Sequence, residues 1–314
     1  MKNALLVLTL FIFSFINAQI FAGTVYLDLA NELELPSEPY DIVLYDNAYV
    51  ITSGSVYSVS INDPYNLNAA EIKEISGVYS IAFIGHYCYA LKHNTIEVYD
   101  MSKSPAARKT SISLNGRVKK IVIDNGYLYA MNEDAGMQVY DVNIADFPVY
   151  KNTQILPFNA TGLFISNFKA YVTGENGSLS IIDVSDKSKL PIVGTYNSGG
   201  KFYEPFVDGN YAYIPQGSTG VQVVDISILP TPQQKINLFG RKNSHQVITS
   251  NFYVWVADDK SVEGFYNDAP ASYYFAGNYK FKEKINRMAV VGGKYIYVGC
   301  KDKYLRILKI NYKY

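Results

Sequence analysis

Little in this chain suits crosslinking, metal capture or a strong electrostatic field. Its 314 residues include two cysteines, three histidines and one tryptophan, and 28 Lys plus Arg balance 28 Asp plus Glu. A near-neutral protein has no global field to draw in nucleic acid or an anionic membrane, so nucleic acid is not an expected partner. His86, His93 and His245 form no HxH, HExxH or Cys-His pattern with zinc-ligand spacing, and no metal site is expected. There is no GxSxG elbow, Walker loop, GxGxxG before a helix or DxDxDG calcium loop, so no cofactor is expected either. Helical periodicity is absent beyond the first residues.

What the chain does have begins with a leader. Met-Lys-Asn is followed by an apolar stretch, Ala4–Ile16, and then Asn17-Ala18-Gln19. A basic start, a short apolar run and a small residue before Gln19 read as a secretory signal peptide spanning residues 1–18. The run is short for a membrane span, which needs roughly 20 apolar residues, and no later stretch is long enough. No cysteine near the cleavage point offers a lipid attachment. Residues 19–314 are therefore expected to form one exported domain, secreted, periplasmic or on the cell surface, with no transmembrane segment after cleavage.

Tyrosine is the abundant aromatic, 29 against 16 Phe, and its amphipathic ring suits half-buried sheet positions. Its placement is periodic. An anchor recurs at Tyr49, Tyr89, Tyr129, Tyr171, Tyr213, Tyr253 and Tyr297, at spacings of 40, 40, 42, 42, 40 and 44 residues. About a dozen residues after each anchor comes a second apolar strand, clearest in Gln138–Val142, Ser180–Val184 and Gln222–Ile226. Turn residues such as Glu175-Asn176-Gly177 separate the two, as hairpins require. Another apolar run precedes each Tyr, and a fourth strand such as Val193–Tyr196 follows. Four short strands repeated every 40 to 44 residues are the pattern of a β-propeller blade.

The expected fold is thus all-β, a seven-bladed β-propeller of four-stranded blades. An open ring would leave free sheet edges. The seventh repeat ends after its third strand, while Thr24–Leu29 is a spare strand ahead of the first blade. That strand is expected to pair beside Leu305–Ile310 and complete the seventh blade. Cys88 and Cys300 fall in non-adjacent repeats, so two separate thiols are expected although an exported protein permits a disulfide.

Tyr211-Ala212-Tyr213-Ile214, Gly220–Ser227, and Ser180–Ser185 followed by Pro191–Tyr196 resemble the LVIVD repeat family. The resemblance spans essentially the whole mature chain, clearest in repeats three to five and weak in the sixth. It implies a propeller in an exported or cell-surface protein. The family has no shared catalytic motif, so the resemblance implies no particular activity.

Asp100, Asp141, Asp183 and Asp225 recur once per repeat at strand ends, where Asp accepts backbone N–H bonds from the following loop. They are expected to be caps on separate blades. Specificity should lie where the copies differ, at the openings of the inner strands that line a propeller's channel. Those openings carry Tyr40, Asp41, Tyr79, Lys119, Lys120, Tyr203, Glu204, His245 and Arg287, with Thr161 in the fourth repeat. A mix of aromatic, basic and acidic groups is how a polar pocket orients a ligand. Two sequons, at Asn159 and Asn176, are acceptors only if the source glycosylates exported proteins.

The expected function is an exported binding or scaffold module for a protein, a surface polymer or a carbohydrate, with no residue assigned a catalytic role. Tyr266, Tyr273 and Tyr274 around Asn267–Tyr274 are a second source of aromatic anchors. The alternative is an extracellular enzyme acting on a glycan. It would use Glu204 or Asp41 as acid or base, and Lys119, Lys120 or Arg287 to stabilise charge.

Overall fold

The computed structural model describes residues 23–134, 136–238, 243–269 and 272–313; the expected signal peptide lies outside the described residues. β1 (Thr24–Glu34) comes first. Blade 1 follows as β2 (Pro39–Leu44), β3 (Ala48–Thr52), β4 (Ser55–Val59) and β5 (Ala69–Ser76). Blade 2 is β6 (Ser80–Ile84), β7 (Tyr87–Lys92), β8 (Thr95–Asp100) and β9 (Ala107–Ser113). Blade 3 is β10 (Val118–Asp124), β11 (Tyr127–Asn132), β12 (Gly136–Asp141) and β13 (Val149–Gln154). Blade 4 is β14 (Ala160–Ser166), β15 (Lys169–Gly174), β16 (Ser178–Asp183) and β17 (Ile192–Asn197). Blade 5 is β18 (Phe206–Asp208), β19 (Tyr211–Pro215), β20 (Val221–Asp225) and β21 (Gln233–Leu238). Blade 6 is β22 (Gln246–Ser250), β23 (Tyr253–Ala257), β24 (Ser261–Ala269) and β25 (Ser272–Lys280). Blade 7 supplies β26 (Ile285–Val291), β27 (Tyr295–Cys300) and β28 (Tyr304–Lys313).

Each of the first six blades is an antiparallel sheet in chain order, and the seventh reads β26-β27-β28-β1. The molecule is a seven-bladed β-propeller closed by its N-terminal strand. That strand is longer than the sequence suggests, running in register from Thr24 opposite Lys313 to Glu34 opposite Tyr304. A bulge between Leu29 and Asn31 reverses which face of β1 points where. Before it, Val25 and Leu27 pack into the core between blades 6 and 7. After it, Leu33 and Leu35 pack between blades 7 and 1. Gly277 of β25 lies so close to the Val25 carbonyl that a Cβ there would collide with it.

Seven apolar cores fill the gaps between neighbouring blades, and the one containing Val50, Tyr57, Tyr297 and Ile307 joins the last blade to the first. All seven anchor tyrosines are buried on the second strand of their blades. Several of their hydroxyls reach partners at the edge of the core, Tyr49 donating to Asp46 at 2.8 Å and Tyr89 to the Ala145 carbonyl in the next blade, whereas that of Tyr297 is buried. Cys88 and Cys300 are free, buried and in different cores.

The repeated aspartates are caps. The backbone N–H groups of Ser102, Asn143, Ser185 and Ser227 donate to Asp100, Asp141, Asp183 and Asp225 at 3.0, 3.1, 2.8 and 2.9 Å. Around the turn from inner to second strand the copies differ. Blade 3 uses Asn125-Gly126, with φ of 48° and 77°, whereas blade 4 uses Asn167-Phe168, with φ of 50° and 55°. A phenylalanine in the left-handed region is strained by its Cβ, and its ring is 57% exposed, so little packing offsets the strain.

Two outcomes follow for stability. Leu27→Ala, which hollows the core under the closing strand, should cost about 2–3 kcal/mol in urea unfolding, and a neutral result would detach closure from stability. Phe168→Gly should raise stability by up to about 1 kcal/mol, seen as a higher thermal midpoint, because relief of the left-handed strain outweighs the extra freedom glycine gives the unfolded chain.

Candidate functional site

The inner strands of the blades open onto one end of the channel, and there the chain breaks its own alternation. Successive residues of a strand normally point to opposite faces. In blade 1 the pairing skips from Pro39–Thr52 to Asp41–Ile51, leaving Tyr40 as a bulge. The same slip occurs in blade 3 at Lys119, in blade 4 at Thr161 and in blade 7 at Asn286. A bulge re-aims side chains, so neighbours such as Tyr40 and Asp41, or Lys119 and Lys120, face the same space. Blade 5 does this differently. β18 starts only at Phe206, and Tyr203 and Glu204 lie on the irregular segment before it. That segment is held by Thr161, which donates to the Phe202 carbonyl at 2.7 Å, and by Thr173, which donates to the Tyr203 carbonyl at 2.8 Å. Gly162 permits the approach, since a Cβ at that position would overlap the Glu204 backbone.

All nine residues expected at the channel mouth line one cavity of about 350 Å³, together with Met131, Thr161 and Asn286. Thr161 was already marked by its place at the inner-strand opening. Asn286 and Met131 were missed. The first is a bulge residue beside Arg287, donating to Glu38 at 2.7 Å and the Pro39 carbonyl at 2.9 Å. The second arrives from the end of the second strand of blade 3, which no spacing argument reveals.

The floor of the cavity is a charged layer. Arg287 lies 2.7 Å from Glu204 and 2.8 Å from Asp41, and Lys120 pairs with Glu204. One residue comes from each of blades 1, 3, 5 and 7, so the layer ties four blades together across the axis, the adjacent first and last among them. Asp41, Lys120 and Arg287 also line the channel beyond, a space of about 510 Å³ walled by apolar residues of the inner strands. Arg287 and Glu204 keep only 20% and 21% of their side-chain surface accessible. Burial pushes the Glu204 carboxyl up, but Arg287 and Lys120 outweigh it and hold it at about 2. Burial alone would make Arg287 less basic; Asp41 and Glu204 reverse that and raise it.

This geometry bears directly on the acid–base alternative. Asp41 and Glu204 converge, but on a single guanidinium rather than on open space. A carboxylate held at about 2 neither carries a proton to donate at neutral pH nor takes one readily. Lys119 is likewise engaged, 3.4 Å from Glu133.

Tyrosines complete the mouth. Tyr40 donates to the Val78 carbonyl, and burial, then Asp41 and Tyr79, push its hydroxyl up to about 12. Tyr79 is 48% exposed and meets His93 edge-on at 5.7 Å. Lys201 lies 5.3 Å over the Tyr203 ring. His245 lies just before β22, its Nδ1 3.4 Å from the Asn243 carbonyl and its Nε2 buried with no hydrogen-bond partner among the described residues.

The other proposed aromatic anchor is corrected. Asn267–Tyr274 is no open loop: β24 and β25 pair almost to its tip, Asn267 opposite Tyr273. Tyr273 turns inward, its hydroxyl 3.0 Å from that of Tyr213, and Tyr266 packs against the core between blades 6 and 7. Only Tyr274 of the three is exposed. It sits at the end of the propeller opposite the mouth, because strand direction alternates within a blade. Among the described residues no His, Cys, Asp and Glu cluster could hold a metal ion, and no helix is long and apolar enough to cross a membrane.

Fold and site together define a β-propeller with a polar mouth and a neutralised channel floor. The particular repeat is recognisable: the LVIVD repeat model matches residues 159–198, 203–237 and 287–310, so this propeller carries LVIVD repeats. The matched segments fall in blades 4, 5 and 7, so the third repeat is less typical, and the seventh more so, than the sequence suggested. No curated protein sequence matches the chain. Among solved structures, the β-propeller domain of Myceliophteria thermophila Cps50 (Swd1) superposes with a TM-score of 0.72 at 11% identity, covering 91% of this chain and 100% of that domain. A computationally designed protein, Ika8, superposes with a TM-score of 0.65 at 10% identity, covering 88% of this chain and 97% of that one. At such identities the likeness is one of fold.

The charged floor makes a prediction of its own. Glu204 is depressed below the roughly 4.3 of an unfolded glutamate, so its contribution to stability is present above about pH 4 and is lost as pH falls toward 2. The urea midpoint should drop across that window. Glu204→Gln should cost about 3 kcal/mol at neutral pH and flatten that part of the profile, because two buried cations lose their shared counter-charge. An unchanged profile in the variant would show that the acid transition belongs to other carboxyls.

Proposed function

We propose that this protein is an exported β-propeller binding module whose ligand is taken at the channel mouth. The observation that carries the reading is convergence. Residues from all seven blades meet on one cavity, and the bulges of blades 1, 3 and 7 turn adjacent polar side chains toward it. The site's strongest charges are spent on one another in the floor, which suits holding a ligand better than transferring protons. The leader at residues 1–18 supports export, to the cell surface, periplasm or medium, where a protein, a surface polymer or a carbohydrate would be the partner.

The experiment is capture with residues 19–314 from the extracellular fraction and on a glycan array, repeated with Tyr79→Ala and Tyr203→Ala. Each substitution should weaken any captured ligand by about tenfold or more, as truncation of an interface aromatic does, with little change in thermal midpoint. Undiminished capture by both variants would move the binding site away from the mouth.

A further inference from the structure

On the far side of the charged floor the channel changes character. Side chains two residues apart on a strand point the same way, so the layer beyond Asp41, Lys120 and Glu204 is set by Val43, Val122 and Phe206. Phe164 joins them from blade 4, its ring centroid 4.8 Å from that of Phe206, and Phe83 from blade 2. These five side chains are only partly covered, and they wall the space of about 510 Å³ that runs from the floor to Tyr45, on the turn at the end opposite the mouth. The polar side chains along the wall are already engaged: the Tyr45 hydroxyl donates to the Gly85 carbonyl at 3.0 Å, and Ser80 Oγ accepts from the Ile121 N–H at 3.3 Å. Such a volume falls within the roughly 300–1,000 Å³ of small-ligand sites, whose walls are mainly apolar. Water there finds few partners, so an apolar guest displaces it favourably.

The turns around this exit carry an independent sign. Blade 3 turns at Asn125-Gly126, but blades 4 and 6 place Phe168 and Phe252 after the asparagine, 57% and 75% exposed. Phe168 moreover holds a φ of 55°. A side chain that is strained and uncovered within the fold points to a contact outside it. Tyr45 stacks on Phe83 at 5.1 Å and carries the aromatic wall out to the rim.

Charge disfavours an anion here. The ions of the floor are matched with one another. Along the last residues of the inner strands and the turns after them, Asp46, Asp124 and Asp208 outnumber Lys294, with Lys187 bearing on Asp124. An anionic group is thus poorly compensated at either end of the apolar stretch.

We propose that the channel is a second binding site, for an uncharged, chain-like apolar ligand that enters from the end opposite the mouth. It does not depend on what the mouth binds, because the charged floor lies between the two spaces. In the test, n-alkanols from hexanol to decanol compete with an uncharged fluorescent probe, N-phenylnaphthylamine, for residues 19–314. Affinity should rise about threefold to fourfold per methylene, as burial of each CH₂ requires. The alkanoate of equal length should bind about tenfold more weakly, since its charge must be desolvated without a partner. Val43→Phe combined with Val122→Phe, which fills the channel, should lower alkanol affinity about tenfold or more. Phe252→Ala and Phe168→Gly, which leave the core untouched, should each lower it by about threefold, with thermal midpoints held or raised. Tyr79→Ala and Tyr203→Ala, at the mouth, should bind alkanols as the wild type does.

No alkanol binding, affinity independent of chain length, or alkanoates held as well as alkanols would overturn the proposal. So would undiminished binding in the two rim variants, which decide the matter even where the filled channel fails to fold. Alkanol binding lost in the mouth variants instead would place the apolar ligand at the mouth and remove the second site.

Discussion

Closure of the ring is the constraint on which everything else depends. A blade is a four-stranded sheet that cannot cover both its faces; it is stable because a neighbour packs on each side. In a ring every interface is used, provided the last blade meets the first. Here that meeting rests on β1, a strand from the start of the chain hydrogen-bonded along its length to the final strand. Its bulge lets one strand serve two cores, the one behind it with Val25 and Leu27 and the one ahead with Leu33 and Leu35. Side chains reinforce the pairing from the solvent side, with Arg306 reaching Glu32 at 3.1 Å and Asn311 reaching Asp28 at 2.8 Å.

Ring geometry also creates the problem that the charged floor answers. Seven inner strands converge on an axis, and polar residues brought there lose much of their water. Placing Asp41, Lys120, Glu204 and Arg287 on blades 1, 3, 5 and 7 lets two cations and two anions meet across the axis, each charge compensated by its neighbour. The floor consequently bears no net charge, and what remains for a ligand is the rim: tyrosine rings, hydroxyls, amides and one histidine. Chemistry at such a mouth is set by hydrogen-bond direction more than by field.

Much of the architecture was legible because propellers repeat. Each anchor tyrosine sits where a blade needs a large, buried, β-favouring side chain, so seven copies declare seven blades. Asp183 was readable as a cap from its place before Ser185, since an aspartate at a strand end and the amide two residues on interact locally. The mouth residues were legible as a set, because inner-strand openings can be counted from the anchors. Their roles were not. Glu204 and Asp41 look like an acid–base pair until Arg287 is placed between them. Tyr273 looks like a loop anchor until strand pairing turns it onto Tyr213.

The sequence by itself determined the blade count, the strand order and the positions that face the axis, since all three follow from local periodicity and from the need to close a ring. Tertiary structure alone decided which charges neutralise one another and where the bulges fall. It also decided that one nitrogen of His245 is buried with no partner among the described residues. The physical reason is distance along the chain: Lys120 and Glu204 are 84 residues apart, and Asp41 meets Arg287 only because the first and last blades are neighbours. Periodicity reports what each blade does alike, whereas the site is made from what different blades do to one another.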